Sequence, residues 1–267
     1  MYSYLLYKLS CLQGNPSVAT FLLPPVSGMH MQPGISSYCL IGRPLEESLN
    51  ILSGVTDLIE VMDEGPHFIT DPAVFESYSQ DFIIHAPYHG MNIASLFDAI
   101  RKASVEVMTD CFAVAAEIGA PVVIHPGYYA WEKEKGKADR QFKKSLHELR
   151  DTAVDLSLTF WFENMGDMNF FNLRTPGDIG LIEDIGFTLD TGHANLNHCL
   201  PGFLETRFSH MHIHDNNGRK DTHSAVGEGN IDFSPVIAAQ QKTGATAVLE
   251  VKDFDGVIRS RKALDRL

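Results

Sequence analysis

The chain has 267 residues, 44% of them hydrophobic, and a formal net charge of −13. That length supports one large core, either a single α/β barrel or two small domains. The acidic balance argues against a nucleic-acid partner, which needs clustered Lys and Arg to neutralise phosphates, although three bound divalent ions would bring −13 to −7.

Residues 1–30 are rich in Tyr, Leu, Ser and Pro, broken by Pro24-Pro25, and carry no clear period. They are expected to be an N-terminal extension, with the barrel domain spanning residues 31–267. Lys8 sits inside the mildly apolar start and no basic leader precedes it, so no signal peptide is expected. No apolar run reaches the about 18–20 residues of a membrane span.

From Met31 strand and helix patterns alternate. Ile35–Ile41 is a predicted strand, and Pro44–Val55 a helix with Glu46 and Glu47 in its first turn. Leu58–Met62 is a strand, Pro72–Ser79 a short helix and Phe82–His85 a strand. Leu96–Ile118 is a long amphipathic helix stopped by Gly119, and Val122–His125 a strand. Asp139–Leu156 is a helix, and the mixed charges of Trp131–Lys144 suggest a solvated face. Thr159–Glu163 is a strand, and Pro176–Ile185 a helix with Pro near its first position and Gly186 after it. Phe187–Asp190 is a strand, Leu200–Thr206 a weak helix and Phe208–His214 the seventh strand. Asp232–Thr243 is a helix, Ala247–Glu250 the eighth strand, and a short helix ends the chain. Eight strands alternating with helices imply a single (β/α)8 TIM barrel of parallel strands. Cys11, Cys39, Cys111 and Cys199 are far apart and lack metal-type spacing. They suggest a reducing, cytoplasmic setting without disulfides.

In such a barrel, chemistry sits at the C-terminal ends of the strands. Six predicted strands place a metal-ligand side chain there: His85, His125, Glu163, Asp190, His212 and Glu250. A lone histidine at a strand end is more often a satisfied polar residue than a ligand. Six such ends at one level are different, because burying that many charges without a counter-ion costs several kcal/mol per group. His193 follows Asp190 by three residues, and Asp221 and His223 come from the loop after the seventh strand. The nine candidates would supply one to three divalent ions, zinc or manganese, with shared carboxylates.

His85-Ala-Pro-Tyr88 with Asn92-Ile-Ala94, His125-Pro-Gly127, Glu163-Asn164, Leu189-Asp-Thr-Gly-His193, Met211-His212-x-x-Asp215, Asp221-x-His223-x-x-x-Gly227-Glu-Gly229 and Leu249-Glu250 resemble the xylose-isomerase-like TIM barrel superfamily. That superfamily includes sugar-phosphate isomerases/epimerases and the endonuclease IV family of AP endonucleases. The resemblance covers about residues 34–252. It implies that Glu163, Asp190, His212 and Glu250 hold a central metal. His85 and His125, with Glu163 bridging, would hold a second, and His193, Asp221 and His223 a third. The last two sites resemble the endonuclease IV pattern, whereas ketose epimerases keep the central four.

Three functions follow from this pattern. The first is isomerisation or epimerisation of a sugar or sugar phosphate through an enediolate. Glu163 and Glu250 would be the catalytic acid and base, and His193 would hold a substrate oxygen. The second is hydrolysis of abasic DNA at three zinc ions. Tyr88 matches a tyrosine that contacts DNA in that family, which makes it a substrate-binding candidate. The acidic loop Asp63-Glu-Gly-Pro-His67, the short linker from His212 to Asp221 and the scarcity of Arg and Lys near the mouth beyond Arg219-Lys220 weigh against DNA. The third is a non-catalytic metal-binding protein, against which both facing glutamates count.

Other residues have plainer readings. His214 is expected at the rim or behind the ligands, His210 deeper in the barrel, and His89 and His198 in surface loops. Glu60 either faces the barrel or caps a loop. Gly227 and Gly229 serve backbone turns rather than phosphate binding. Tyr128, Tyr129 and Trp131 stack on a sugar ring or base, or cover the core edge.

Overall fold

The computed structural model describes residues 32–166 and 170–267, so the expectation for residues 1–30 lies outside the described residues. Eight parallel strands close in sequential order: β1 (Gly34–Ser36), β2 (Leu58–Met62), β3 (Asp81–His85), β4 (Val122–Ile124), β5 (Phe160–Glu163), β6 (Gly186–Asp190), β7 (His210–Ile213) and β8 (Thr246–Leu249). The helices are α1 (Leu45–Ser53), α2 (Asp98–Ile118), α3 (Lys135–Asp155), α4 (Thr191–Leu196), α5 (Leu200–Leu204), α6 (Phe233–Thr243) and α7 (Phe254–Leu264). The chain is a TIM barrel, as its alternating pattern implies. No helix of the described residues is long and apolar enough to cross a membrane.

Strand alternation divides the side chains into two layers. Ile59, Val61, Phe160, Phe162, Phe187, Leu189, Met211, Ile213, Ala247 and Leu249 belong to the apolar layer shared with the helices. Phe142 of α3 packs on Phe162 at 5.1 Å and Phe112 of α2 on Phe160 at 5.0 Å. Each fully buried ring contributes about 1.5–3 kcal/mol. The intervening positions, Glu60, His85, Glu163, Asp190, His210 and His212, are also buried but lie outside that layer, on the face that alternation turns into the barrel. Register aligns Asp190 with His212 and Met62 with His85.

Several elements differ from the sequence expectations. β1 stops at Ser36 rather than Ile41, because the Ser36 side chain accepts from Tyr38 N–H and starts a 3-10 turn over Ser37–Leu40. The predicted helix at Pro72–Ser79 is only a 3-10 turn, Pro72–Phe75, capped by Asp71, and a second 3-10 turn, Gly65–His67, precedes it. The crossover after β5 is also 3-10, Pro176–Ile182, held by a Thr175/Asp178 capping box. Glu183, at φ 56°, ends it, and Gly186 opens β6 instead of capping a helix. α3 begins at Lys135, four residues early, and buries Ala138 and Phe142, so Trp131–Lys144 is only partly a solvated face. Helix α4 was not read from the sequence; Asp190 caps it and its carboxylate accepts from His193 N–H at 2.6 Å.

Candidate metal centre

The mouth of the barrel gathers ligand-type side chains from β3, β5, β6 and β7 and from the residues just past β4 and β8. Glu163, Asp190, His212 and Glu250 form one group, and His85, His125 and Glu163 a second. His193, His214, Asp221 and His223 form a third. All nine sequence-predicted positions fall in these three groups, and His214 joins them.

The loop after β7 delivers Asp221 and His223. Asp215 organises it: the buried carboxylate accepts backbone N–H bonds from Asn216 at 2.8 Å, Gly227 at 3.0 Å, Gly229 at 2.8 Å and Ile231 at 3.2 Å. Gly229 passes so close that a Cβ there would lie 2.2 Å from Asn216 O. The Gly-Glu-Gly segment therefore serves backbone packing. His223 occupies left-handed backbone at φ 41°, an uncommon state for a non-glycine residue that here turns the ring into the site.

Backbone carbonyls fix the ring orientations. His85 Nδ1 meets Ala86 O at 3.0 Å, His193 Nδ1 meets Asn164 O at 2.9 Å, and His223 Nδ1 meets Glu250 O at 2.9 Å. A carbonyl only accepts, so each Nδ1 carries a proton and each Nε2 is the nitrogen turned toward the cluster, open to an ion once its own proton leaves. Metal-binding histidines show this arrangement.

Distances between neighbouring donors test the fit to an ion. Ligands about 2.0–2.2 Å from a tetrahedral zinc stand roughly 3.3–3.6 Å from one another. His212 Nδ1 lies 3.3 Å from Glu250 Oε2, 3.5 Å from Glu163 Oε1 and 3.7 Å from Asp190 Oδ2. It is buried and makes no hydrogen bond. Glu163 Oε2 lies 3.3 Å from His85 Nε2 and 3.2 Å from His125 Nε2. Asp221 Oδ2 lies 3.1 Å from His193 Nε2 and 3.3 Å from His223 Nε2. The residues present fit divalent ions, with the two oxygens of Glu163 divided between two groups.

His214 is fully buried rather than at the rim. Its Nε2 lies 3.0 Å and 3.1 Å from the two Asp190 oxygens, and its ring stacks on His223 at 4.0 Å and 17°. Rings stacked in this way cannot both point lone pairs at one ion, so His214 steadies Asp190 and His223 from behind. His210 lies deeper, as expected, and Glu60 faces the barrel against His210 and His212. His198 is exposed, and exposed His89 pairs with Glu64 at 2.8 Å. Trp131 and Tyr128 are exposed, with Tyr128 bridged to Phe171, while Tyr129 packs against the core.

Charge shifts follow from this crowding. Burial alone would push Glu163 up, but His212, His125 and His193 hold it well below the usual carboxylate range. Glu250 is raised by burial; His212 and His223 pull it down, and the Glu163 and Asp190 charges push it up. Burial opposes protonation of His212 and His193, yet facing carboxylates, Glu60 and Glu250 for one and Asp190 and Asp221 for the other, raise both well above the ordinary value. His223 rises to about 9, against burial, through Asp221 and Glu250. Burial lowers His125.

Above the cluster is a cavity of 150 Å³ walled by Tyr38, Met62, Tyr88 and Met165 and floored by His85, His125, Glu163, His193 and Glu250. The Tyr88 ring lies 4.8 Å from that of His125. Tyr38, Met62 and Met165 were not foreseen as site residues. Tyr38 stands beyond the true end of β1, and nothing in an isolated Met marks a cavity wall.

The sequence model of a family described as xylose isomerase-like TIM barrel matches residues 73–267. An uncharacterised protein of Methanocaldococcus jannaschii is 30% identical over 234 residues, 84% of this chain and 93% of that protein. A probable endonuclease 4 of Mycobacterium leprae is 28% identical over 203 residues, 71% of this chain and 80% of that protein. Among solved structures, a D-tagatose 3-epimerase-like protein superposes with a TM-score of 0.80 at 27% identity, covering 88% of this chain and 96% of that one. The chain belongs to the xylose isomerase-like TIM barrel family.

Proposed function

We propose that this protein is a divalent-metal-dependent isomerase or epimerase of a small sugar or sugar phosphate. One observation carries the reading: Glu163 of β5 and Glu250 just past β8 both approach His212 Nδ1 and both line a 150 Å³ cavity at the mouth. That volume suits a small molecule and not a duplex, and the likeness to a D-tagatose 3-epimerase-like protein supports it.

Glu163, Asp190, His212 and Glu250 would hold the central ion, with Glu163 shared with His85 and His125 and a further ion at His193, Asp221 and His223. A bound divalent ion, zinc or manganese, supplies Lewis-acid polarisation of a carbonyl. One of the two facing glutamates takes the proton from the carbon beside that carbonyl, and the other returns one. Tyr38, Met62 and Met165 line the cavity beside the reacting carbon. Tyr88 presents an aromatic face to the sugar, and His193 orients a substrate oxygen where no ion claims it.

The experiment is proton exchange. Metal-loaded protein in heavy water with D-tagatose or D-fructose should place deuterium beside the carbonyl, read by NMR. A second reading, phosphodiester hydrolysis at an abasic site, draws on the two outer clusters and on the likeness to a probable endonuclease 4. Cleavage of an abasic duplex without any sugar exchange would replace the first reading by the second.

A further inference from the structure

Beneath the centre lies a polar chain of which the proposed chemistry uses only His212. Glu60 of β2, His210 and His212 of β7 are each fully buried. Glu60 Oε2 is 2.8 Å from His210 Nε2, and His210 Nδ1 is 2.7 Å from Thr246 Oγ1. Glu60 Oε1 is 2.9 Å from His212 Nε2, although the ring is turned off hydrogen-bond alignment. Trp161 stacks on His210 at 5.3 Å and 18°.

These three side chains also cluster closely enough to suggest a metal site of their own. The spacings decide against it. Donors held apart by a shared ion stand roughly 3.3–3.6 Å from one another, and those of the three groups above stand 3.1–3.7 Å apart. At 2.8 and 2.9 Å the gaps here have room for a proton and not for an ion. Two unprotonated acceptors at that distance would repel, so the His212 nitrogen facing Glu60 carries hydrogen.

We propose that Glu60 is a positioning residue, backed by His210 and Thr246, that keeps His212 protonated on Nε2 and so presents its Nδ1 lone pair to the ion held by Glu163, Asp190 and Glu250. His212 differs in this from His85, His193 and His223, whose Nδ1 atoms are tied to carbonyls and whose Nε2 atoms face the centre. No carbonyl meets either nitrogen of His212, and the carboxylate of Glu60 takes that part. Its second oxygen is occupied by His210 Nε2 at 2.8 Å, and the other ring nitrogen of His210 meets the Thr246 hydroxyl at 2.7 Å. The chain runs from the exposed Thr246 to the central ion through three buried groups. The proposal rests on the metal reading above only for its final link.

The test uses the full chain, labelled with 15N-histidine, with zinc as the probe. In the metal-free protein His210 and His212 should each show an exchange-protected Nε2 proton. Glu60→Gln keeps the shape but cannot accept from both rings. It should lose the His212 Nε2 proton and weaken zinc binding at one site about 10–100-fold, leaving the other sites unchanged. Thr246→Val, at an exposed position that tolerates the change, should lose protection at His210 first. It keeps the proposal testable if Glu60→Gln fails to fold. An unprotonated His212 Nε2 in the wild type, or unchanged protons and zinc affinity in both variants, would overturn the proposal. The proton measurement needs no metal. A wild type that bound no zinc would sink the metal reading and leave the place of Glu60 still decided by that proton.

Discussion

Glu250 Oε2 stands 3.3 Å from His212 Nδ1, with no hydrogen bond to fill the gap. The two residues come from β7 and the end of β8, and Glu163 and Asp190 approach the same nitrogen at 3.5 Å and 3.7 Å. Three carboxylates around one imidazole nitrogen would make the shell of a divalent ion.

Glu163→Gln keeps the side-chain volume but removes the bridging charge and a candidate base. Turnover should fall about 10²–10⁴-fold, with fewer ions retained per chain. Steady-state kinetics and elemental analysis on one preparation check both, and undiminished turnover would reject the assignment.

His125→Ala and His223→Ala separate the two chemistries. Each removes one outer ligand and leaves the Glu163, Asp190, His212 and Glu250 group intact. Sugar exchange at the central ion should fall no more than about 10–100-fold in either variant, the range an outer partner of a metal contributes. A reaction that needs all three clusters would be abolished by both.

Gly192→Ala tests the support behind the ligands. A Cβ at that position would lie 1.9 Å from His214 Cε1. His214 must then leave Asp190, to which it is bonded at 3.0 Å. Overpacking of this kind costs about 1–3 kcal/mol, and denaturant unfolding of the metal-free protein should show that loss. Unchanged stability would mean that His214 has room to move.

The pH dependence of the metal-free protein has a definite sign. A histidine whose pKa rises on folding adds stability that is complete below about pH 6.5 and is lost as pH climbs through the folded value. His193 and His212 are raised well above the ordinary value and His223 to about 9. The melting temperature of the metal-free chain should therefore fall as pH rises from about 6.5 to beyond 9. Zinc displaces those protons, so the loaded protein should hold a flatter profile. Parallel slopes with and without zinc would contradict this.

Much of the barrel was legible because its strands end in chemistry. Strict alternation in Phe160-Trp-Phe-Glu163 and His210-Met-His212 separates the outer apolar layer from the mouth, and glycines stop α2 and α6 in left-handed backbone at φ 69° and 70°. What could not be read depends on partners far along the chain. Glu60 was left between a barrel-facing and a loop role because its neighbour His210 is 150 residues away. The end of β1 turns on one Ser36 side-chain bond. The 3-10 crossovers after β2 and β5 begin with Asp-Pro and Thr-Pro signals that a full helix shares.

The most direct test counts ions. Protein saturated with zinc, dialysed and measured by elemental analysis should retain three ions per chain. The count should fall to two in Asp221→Ala, whose carboxylate joins His193 to His223. A wild type that retains none, with His212 Nδ1 still titrating freely, would contradict a metal centre at this mouth.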